Sequence, residues 1–251
     1  MKGQNNTHFQ LSLIIIGICA VLLLLLFIPD MGTTLINTVP EFPPETNNIL
    51  DEATPPSNMI SVDKTNVKNV ISAMSRPDEY YSETRSVLSY SAGSATYFRR
   101  KWVKGNWARV DVMNSSASSV SMHYLYGNGE VYAWRPQDRT YYKTQAGSQS
   151  ADNLQMMMTY EDIISAQDEN IITAQYTQYD GLQCIYAEVR DPTLSYTERY
   201  WVSTSTGLLV YGQTLDEKGS VIYTIQATQT DVSPQSNENF TLPNGKCVFD
   251  A

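Results

Sequence analysis

From residue 97 to residue 227 the chain repeats one pattern, in which apolar and polar residues alternate and turn-forming residues separate the alternating runs. Successive side chains of a β-strand point to opposite faces, so each alternating run predicts a strand with one apolar face. Pairs such as Asn-Gly and Asp-Gly between two such runs are typical of β-hairpins. The predicted turns are 104–106, 127–129, 135–138, 180–181, near 207, and 216–219. The sequence therefore predicts a long antiparallel meander.

Two helical segments accompany the predicted strands. The first spans about residues 63–74, where apolar residues recur at helical spacing: Val67, Val70, Ile71 and Met74. In the second, Asp152 or Asn153 is predicted to cap a helix over residues 154–158, and helical spacing continues at 161–166. A long antiparallel sheet curls, and helices in its concave face hide its apolar side. We therefore predict a mainly β (α+β) fold, a curved antiparallel half-barrel with an early helix and a helical insertion.

Ahead of this domain, residues 11–28 form an apolar run without a charged side chain. As a helix the run would span about 27 Å, close to the roughly 30 Å core of a bilayer. Because Lys2 precedes the run and acidic residues follow it, we expect residues 1–10 in the cytoplasm and the later residues outside. No cleavage motif follows Ile28. Lipidation at Cys19 is disfavoured, because the most apolar stretch of the run lies after this residue. This pattern favours one transmembrane helix, a single-pass signal anchor in the cell membrane, over a cleaved signal peptide.

Residues 29–59 are predicted to be a linker, because they combine several prolines with five acidic residues and no basic residue. Such a segment would hold the domain at 60–251 away from the bilayer, or let it reach a partner.

The net charge of −9 argues against a nucleic-acid partner, because phosphate affinity comes from lysine and arginine. The charge is unevenly distributed. Residues 60–143 carry twelve lysines and arginines against seven acids, whereas residues 144–251 carry four against fourteen. This asymmetry either closes the domain on itself or marks where a partner binds.

The sequence lacks the motifs of the common enzyme classes. His8 and His123 are its two histidines, no G-x-S-x-G elbow accompanies them, and a lone histidine in a strand is usually structural. The segment 127–129 lacks the third glycine of a dinucleotide site, and no P-loop occurs. We expect a non-enzymatic protein without a cofactor.

The cysteines outside the apolar run are Cys184 and Cys247. They are compatible with one disulfide in an oxidising compartment, or with two buried small hydrophobic side chains. No CxxC motif occurs, so the sequence predicts no metal site.

Two groups of residues are candidates for binding. The first is a basic cluster with an aromatic residue, suited to anionic headgroups or an acidic partner: Arg99, Arg100, Lys101, Trp102 and Lys104. It is also compatible with pairing to the acidic half of the domain, or with an outer strand face. The second is a groove for a lipid or another apolar ligand, between a methionine-rich helix and the sheet: Met156, Met157, Met158, Trp134 and Trp201. An ordinary core helix has the same composition.

The order of several segments is familiar: Tyr200-Trp201-Val202, Gly207-Leu208-Leu209 and Phe240-Thr241-Leu242-Pro243, preceded by 127–132 and 139–142. Over roughly residues 60–250 the sequence resembles the lipoprotein-carrier superfamily. That superfamily includes the periplasmic lipoprotein chaperone, its outer-membrane acceptor, an envelope-stress sensor and the germination lipoproteins of spore-forming clostridia.

The resemblance implies a half-open antiparallel barrel closed by helices, with an apolar interior that holds acyl chains in several members, and it implies no catalysis. The predicted anchor departs from the family pattern, since an anchored protein cannot shuttle cargo across a wide space. We expect a membrane-anchored extracytoplasmic protein that holds a lipid, lipoprotein or other apolar ligand. The alternative is a regulatory module that binds an envelope protein, in the manner of a stress sensor or a germination protein.

Overall fold

The computed structural model describes residues 60–250, which form an eleven-stranded, open antiparallel sheet with a few short helices. The predicted cytoplasmic segment at 1–10, the anchor at 11–28 and the linker at 29–59 lie outside the described residues. Within residues 60–250, no helix is long and apolar enough to cross a membrane. The prediction of a mainly β fold is confirmed.

The strands form two antiparallel meanders. The first contains β1 (Glu79–Tyr90), β2 (Gly93–Lys104), β3 (Trp107–Met113), β4 (Val120–Gly127), β5 (Glu130–Trp134) and β6 (Tyr142–Gln145). The second contains β7 (Ile171–Tyr179), β8 (Leu182–Asp191), β9 (Tyr196–Ser203), β10 (Leu209–Leu215) and β11 (Val221–Asp231). The hairpin turns predicted at 104–106, 127–129 and 180–181 connect strands as expected.

A pairing between the first and last strands joins the two meanders. β1 runs antiparallel to β11, from Tyr81 opposite Asp231 to Leu88 opposite Tyr223. The strand order is therefore β6-β5-β4-β3-β2-β1-β11-β10-β9-β8-β7. This order places β1 in the middle of the sheet, between β2 and β11, and leaves β6 and β7 at its edges.

Three short α-helices pack on the sheet: α1 (Val67–Ala73), α2 (Ala151–Leu154) and α3 (Tyr160–Ser165). The prediction of a helix over 154–158 capped by Asp152 or Asn153 is wrong. Ser150 caps α2 by accepting a hydrogen bond from the Asn153 N–H, at 3.2 Å, and the helix ends at Leu154.

A Schellman motif ends α2 early. The Met157 N–H donates to the Asp152 carbonyl at 2.9 Å, and the Met156 N–H donates to the Asn153 carbonyl at 3.1 Å. Met156 occupies the position in this motif where glycine is common, with a φ of 52°. The methionines thus follow the helix instead of forming it.

Strand alternation gives the sheet two faces. We call the face that carries α1, α2 and α3 the inner face, and its main core lies between β7–β11, α1, α3 and the pair Met157 and Met158. The opposite, outer face carries the C-terminal segment, residues 232–250, whose Phe240 and Leu242 pack on β4 and β5. Both faces are therefore partly covered.

Candidate functional site

The inner face contains a cavity of about 430 Å³ between the sheet and the segment that carries α2 and α3. Residues of β1, β2, β3 and β4 form its floor, and residues of α2 and α3 form one wall. The lining side chains include Tyr80, Lys101, Tyr126, Asp152 and Tyr160. A smaller neighbouring cavity extends between β1, β2 and β11 and reaches Met157 and Met158.

A buried ion pair holds α2 on the sheet beside this cavity. The Lys101 Nζ lies 2.8 and 3.1 Å from the two carboxylate oxygens of Asp152 and 5.3 Å from the centre of the Tyr80 ring. Burial by itself lowers the pKa of Lys101, but Asp152 and Tyr80 outweigh burial and raise that pKa above its ordinary value. The ammonium group therefore stays charged, and both partners are satisfied.

A third cavity, of about 480 Å³, lies beside Met156, which is 90% exposed. Two carboxyl groups in its lining are partly buried. Burial raises the pKa of Asp162 from 3.8 to about 7, opposed by a hydrogen bond from the Thr159 N–H. Burial also raises the pKa of Glu198, which accepts a hydrogen bond from the Tyr200 hydroxyl at 2.6 Å. The contact between α3 and β9 is therefore sensitive to pH.

The structure divides the predicted basic cluster between the two faces. Arg99 and Lys101 lie on the inner face, whereas Arg100, Trp102 and Lys104 lie on the outer face. The outer cations have acidic partners: Arg100 lies 3.0 Å from Glu83, and Lys104 lies 3.2 Å from Glu79. Lys104 also donates to the Gln235 carbonyl at 2.8 Å, so it helps to hold the C-terminal segment. The five predicted residues therefore do not form one surface.

The structure also divides the predicted apolar groove. Met157 and Met158 lie in the inner core, and the Met158 side chain packs closely over Gly212. Trp134 and Trp201, however, belong to clusters on the outer face. In β9 the neighbouring residues Tyr200 and Val202 point inward, so alternation turns Trp201 outward. The sequence predicted all three methionines as groove residues; Met157 and Met158 lie in the inner core, whereas Met156 is exposed. The prediction did not include Tyr80, Asp152 and Tyr160.

His123 belongs to a polar cluster on the outer face. Its Nδ1 lies 2.7 Å from Asp111 Oδ1 and 2.7 Å from Arg109 Nη2, and its ring lies 5.3 Å from that of Trp134. Arg109 also donates to the Asn239 carbonyl at 3.0 Å. This cluster connects the sheet to the C-terminal segment, and His123 has a structural place in it.

Cys184 and Cys247 are free, buried thiols in separate surroundings. Cys184 packs with Tyr186 and Trp201, and burial raises its pKa to about 11. Cys247 contacts the Asn237 carbonyl within the C-terminal segment. Of the two alternatives left open by the sequence, the structure has the pair of buried thiols. Among residues 60–250, no group of three or more His, Cys, Asp or Glu side chains is arranged to hold a metal ion.

No protein-family model matches the chain, and no curated protein matches its sequence. Similar solved structures include an uncharacterized conserved protein from Thermus thermophilus, with a TM-score of 0.43 and 8% identity over 64% of this chain and 82% of that chain. The Pseudomonas aeruginosa MucA/MucB complex has a TM-score of 0.42 and 10% identity over 73% of this chain, which spans 61% of that chain.

A LolA superfamily protein from Nitrosomonas europaea has a TM-score of 0.35 and 10% identity, over 73% of this chain and 98% of that chain. Closeness to the germination lipoproteins stays a prediction.

Proposed function

We propose that this protein binds an apolar molecule, such as the acyl chain of a lipid or lipoprotein, on the inner face of its sheet. One observation carries the proposal: the helices leave part of this face uncovered, and apolar side chains are exposed there. Leu88, Tyr90 and Tyr97 are 41%, 47% and 38% exposed. They lie on the inner face where the β1–β2 hairpin ends. Exposed apolar groups that cluster in this way mark binding surfaces.

The exposed strip leads along β1 and β2 toward the cavities. Following the register inward from the hairpin end, the inner positions of β1 are Ser86, Thr84 and Ser82. Thr84 and Ser82 line the small cavity together with Met157 and Met158. Methionine side chains rearrange easily, so an apolar chain that enters from the hairpin end can be accommodated between helix and sheet.

The predicted anchor and linker support a location of this binding in the cell envelope. In our proposal residues 11–28 cross the membrane once, and the domain at 60–251 lies outside the cytoplasm, reached through residues 29–59. A tethered domain near a bilayer meets lipids and lipoproteins directly. Its role in the proposal is to receive or sense such a ligand, without catalysis.

Photocrosslinking tests the binding proposal on the full chain in its membrane. A long-chain fatty acid that carries a diazirine would be incorporated into the membrane, and the sample would be irradiated. Mass spectrometry of peptides would then identify the crosslinked residues. We expect labelled residues in β1, β2 and the segment 156–160. Labelling confined to residues 1–59 would contradict the proposal, because the anchor contacts lipid in any case.

A matched pair of variants separates specific labelling from surface contact. Leu88→Asp places a charge in the exposed inner strip, whereas Leu194→Asp places one at another exposed leucine, 56% exposed, between β8 and β9. We expect the first variant to lose labelling in β1 and β2 and the second to retain it.

A second candidate function is the binding of an acidic envelope protein on the outer face. The observation that favours it is Arg100, whose side chain remains 43% exposed although it pairs with Glu83. Protein crosslinking in the native membrane would compare the wild type with Arg100→Glu. If Arg100→Glu loses a crosslinked partner while its fatty-acid labelling is unchanged, the result would support this function. If Arg100→Glu crosslinks the same partner as well as the wild type does, the result would count against it.

A further inference from the structure

We propose that Arg99 binds the anionic end group of the apolar ligand, a carboxylate or a phosphate, on the inner face of β2. The proposal rests on the proposed function, because it assigns the polar end of the same ligand. Arg99 lies between the exposed strip and the cavities, opposite Thr84 in the register of β1 and β2. A ligand that enters from the hairpin end passes this side chain.

The guanidinium of Arg99 has unused hydrogen-bonding capacity. Its Nη1 donates to the Ser86 hydroxyl at 3.2 Å, and the guanidinium carbon lies 5.7 Å from the centre of the Tyr97 ring. Its Nε is buried and has no hydrogen-bond partner among the described residues. A buried donor without a partner costs free energy, and an incoming oxygen anion would recover it.

The neighbouring cations of β2 and β3 differ from Arg99 in this respect. Each of them has a carboxylate oxygen within 3.2 Å: Arg100 with Glu83, Lys101 with Asp152, Lys104 with Glu79 and Arg109 with Asp111. No carboxylate among residues 60–250 lies within salt-bridge distance of Arg99. Asp152, the carboxylate that α2 brings to this face, has both of its oxygens on Lys101.

Several hydroxyl groups lie near Arg99. Burial raises the pKa of Tyr124 and of Tyr223, and the positive charge of Arg99 acts on both in the opposite direction. Both hydroxyls therefore keep their protons at neutral pH. Ser86, 1% exposed, adds a third hydroxyl beside the guanidinium. A cation with hydroxyl neighbours and, among residues 60–250, no carboxylate within salt-bridge distance suits an oxygen anion.

The length of the exposed strip suits a ligand with a long alkyl chain. From Arg99 to Gly93 at the hairpin end there are six residue steps, which at about 3.3 Å per residue span about 20 Å. Tyr97, Leu88 and Tyr90 lie along this distance on the inner face. An amphiphile with its anion on Arg99 would place its chain on these side chains or, in the other direction, in the cavities.

The test compares a charged and an uncharged ligand of one chain length. The full chain is placed in nanodiscs of phosphatidylcholine and irradiated with a diazirine-bearing fatty acid or with the matching fatty alcohol. We expect at least about tenfold more labelling of β1 and β2 by the acid at equal concentration, the ratio expected for a charge-assisted hydrogen bond. Equal labelling by the two probes would overturn the inference while leaving the proposed function intact. Absence of labelling in β1 and β2 by either probe would overturn both.

Variants locate the preference on Arg99. Arg99→Gln should lower labelling by the fatty acid to the level of labelling by the alcohol, and labelling by the alcohol should not fall. Arg99→Lys, which keeps the charge, should retain part of the preference. Arg135→Gln, at an exposed arginine in the turn after β5, is the control and should leave the preference unchanged. A preference that survives in Arg99→Gln would refute the assignment.

A third probe identifies the source of the anion. The diazirine-bearing alkyl phosphate, compared with the fatty acid, reports whether the site favours a phosphate like that of a lipid headgroup or a carboxylate like that of a free fatty acid. Preference for either probe over the alcohol supports an anion site, and preference for neither excludes one. The wild-type comparison needs no variant, so poor folding of Arg99→Gln would not leave the inference untested.

Discussion

The partly buried Asp162 makes the stability of the domain depend on pH. Its carboxyl group has a pKa of about 7 in the folded chain, against an ordinary value of 3.8, chiefly because it is buried. Glu198 and Glu161 lie near it and disfavour its ionised form further. Between pH 4 and pH 7 the folded state therefore keeps a proton that the unfolded state has lost. For this group, stability is fully present below about pH 4 and is lost as the pH rises through 7.

The size of the effect follows from the difference between the two pKa values. One pKa unit corresponds to about 1.4 kcal/mol, so raising the pH from 5 to 8 would remove up to about 3 kcal/mol of unfolding free energy. Because Asp162 is not fully buried, water screens part of this interaction, and we expect about 1–2 kcal/mol. Glu79 and Glu130 have lowered pKa values, and their contribution to stability is lost only at lower pH.

Urea unfolding of the full chain in detergent, followed by tryptophan fluorescence, measures this dependence. All four tryptophans lie between residues 102 and 201, so the signal reports on the domain rather than on the anchor. We expect Asp162→Asn to be more stable than the wild type at pH 8. The unfolding free energy of this variant should also differ much less between pH 5 and pH 8 than that of the wild type. Asp168→Asn, which removes a carboxylate with an 85% exposed side chain, is the control. An equal pH dependence in Asp162→Asn and the wild type would refute the reasoning.

Three further changes test the packing. Met156→Gly should raise the unfolding free energy, measured by urea unfolding, by about 0.5–1 kcal/mol, because glycine adopts the φ of 52° at this exposed position without strain. A loss of stability would contradict the Schellman motif at the end of α2. Gly127→Ala should lower the unfolding free energy by about 1–3 kcal/mol, since the new Cβ would lie 2.2 Å from the Trp107 ring. An unchanged midpoint of urea unfolding would mean that the ring can move away. Cys184, with a pKa of about 11, should resist iodoacetamide at pH 8 until the domain is unfolded, as mass spectrometry of its peptide would record. Rapid alkylation of the native chain would refute its burial.

The hairpins could be predicted because their signals are local. A turn such as Asp180-Gly181 lies between the two strands that it connects, and alternation marks the strands themselves. The pairing of β1 with β11 has no such signal, because Tyr81 and Asp231 are 150 residues apart and no turn connects them. The end of α2 was also hidden, since Met156 has a high helix propensity and its left-handed conformation follows from the fold.

The candidate site was predicted in part. Alternation alone separates Arg99 and Lys101 from Arg100, but which set faces the helices depends on tertiary packing. The charge asymmetry left two interpretations open: that one half of the domain pairs with the other, or that a partner binds there. Lys101–Asp152 and Lys68–Asp168 do connect the halves, whereas most of the ion pairs between described residues join close neighbours in the sheet.

The two inner cations of β2 have complementary roles in the proposed site. Lys101 and Arg99 are two residues apart on one face, a distance of about 7 Å along the strand. A bare carboxylate at Asp152 would repel an anion on Arg99. Lys101 neutralises Asp152 while it holds α2 on the sheet, so the covering helix can lie beside an anion site without repelling its ligand. The same pairing leaves Arg99 at the edge of the covered region, where an anion that enters from the hairpin end meets it first.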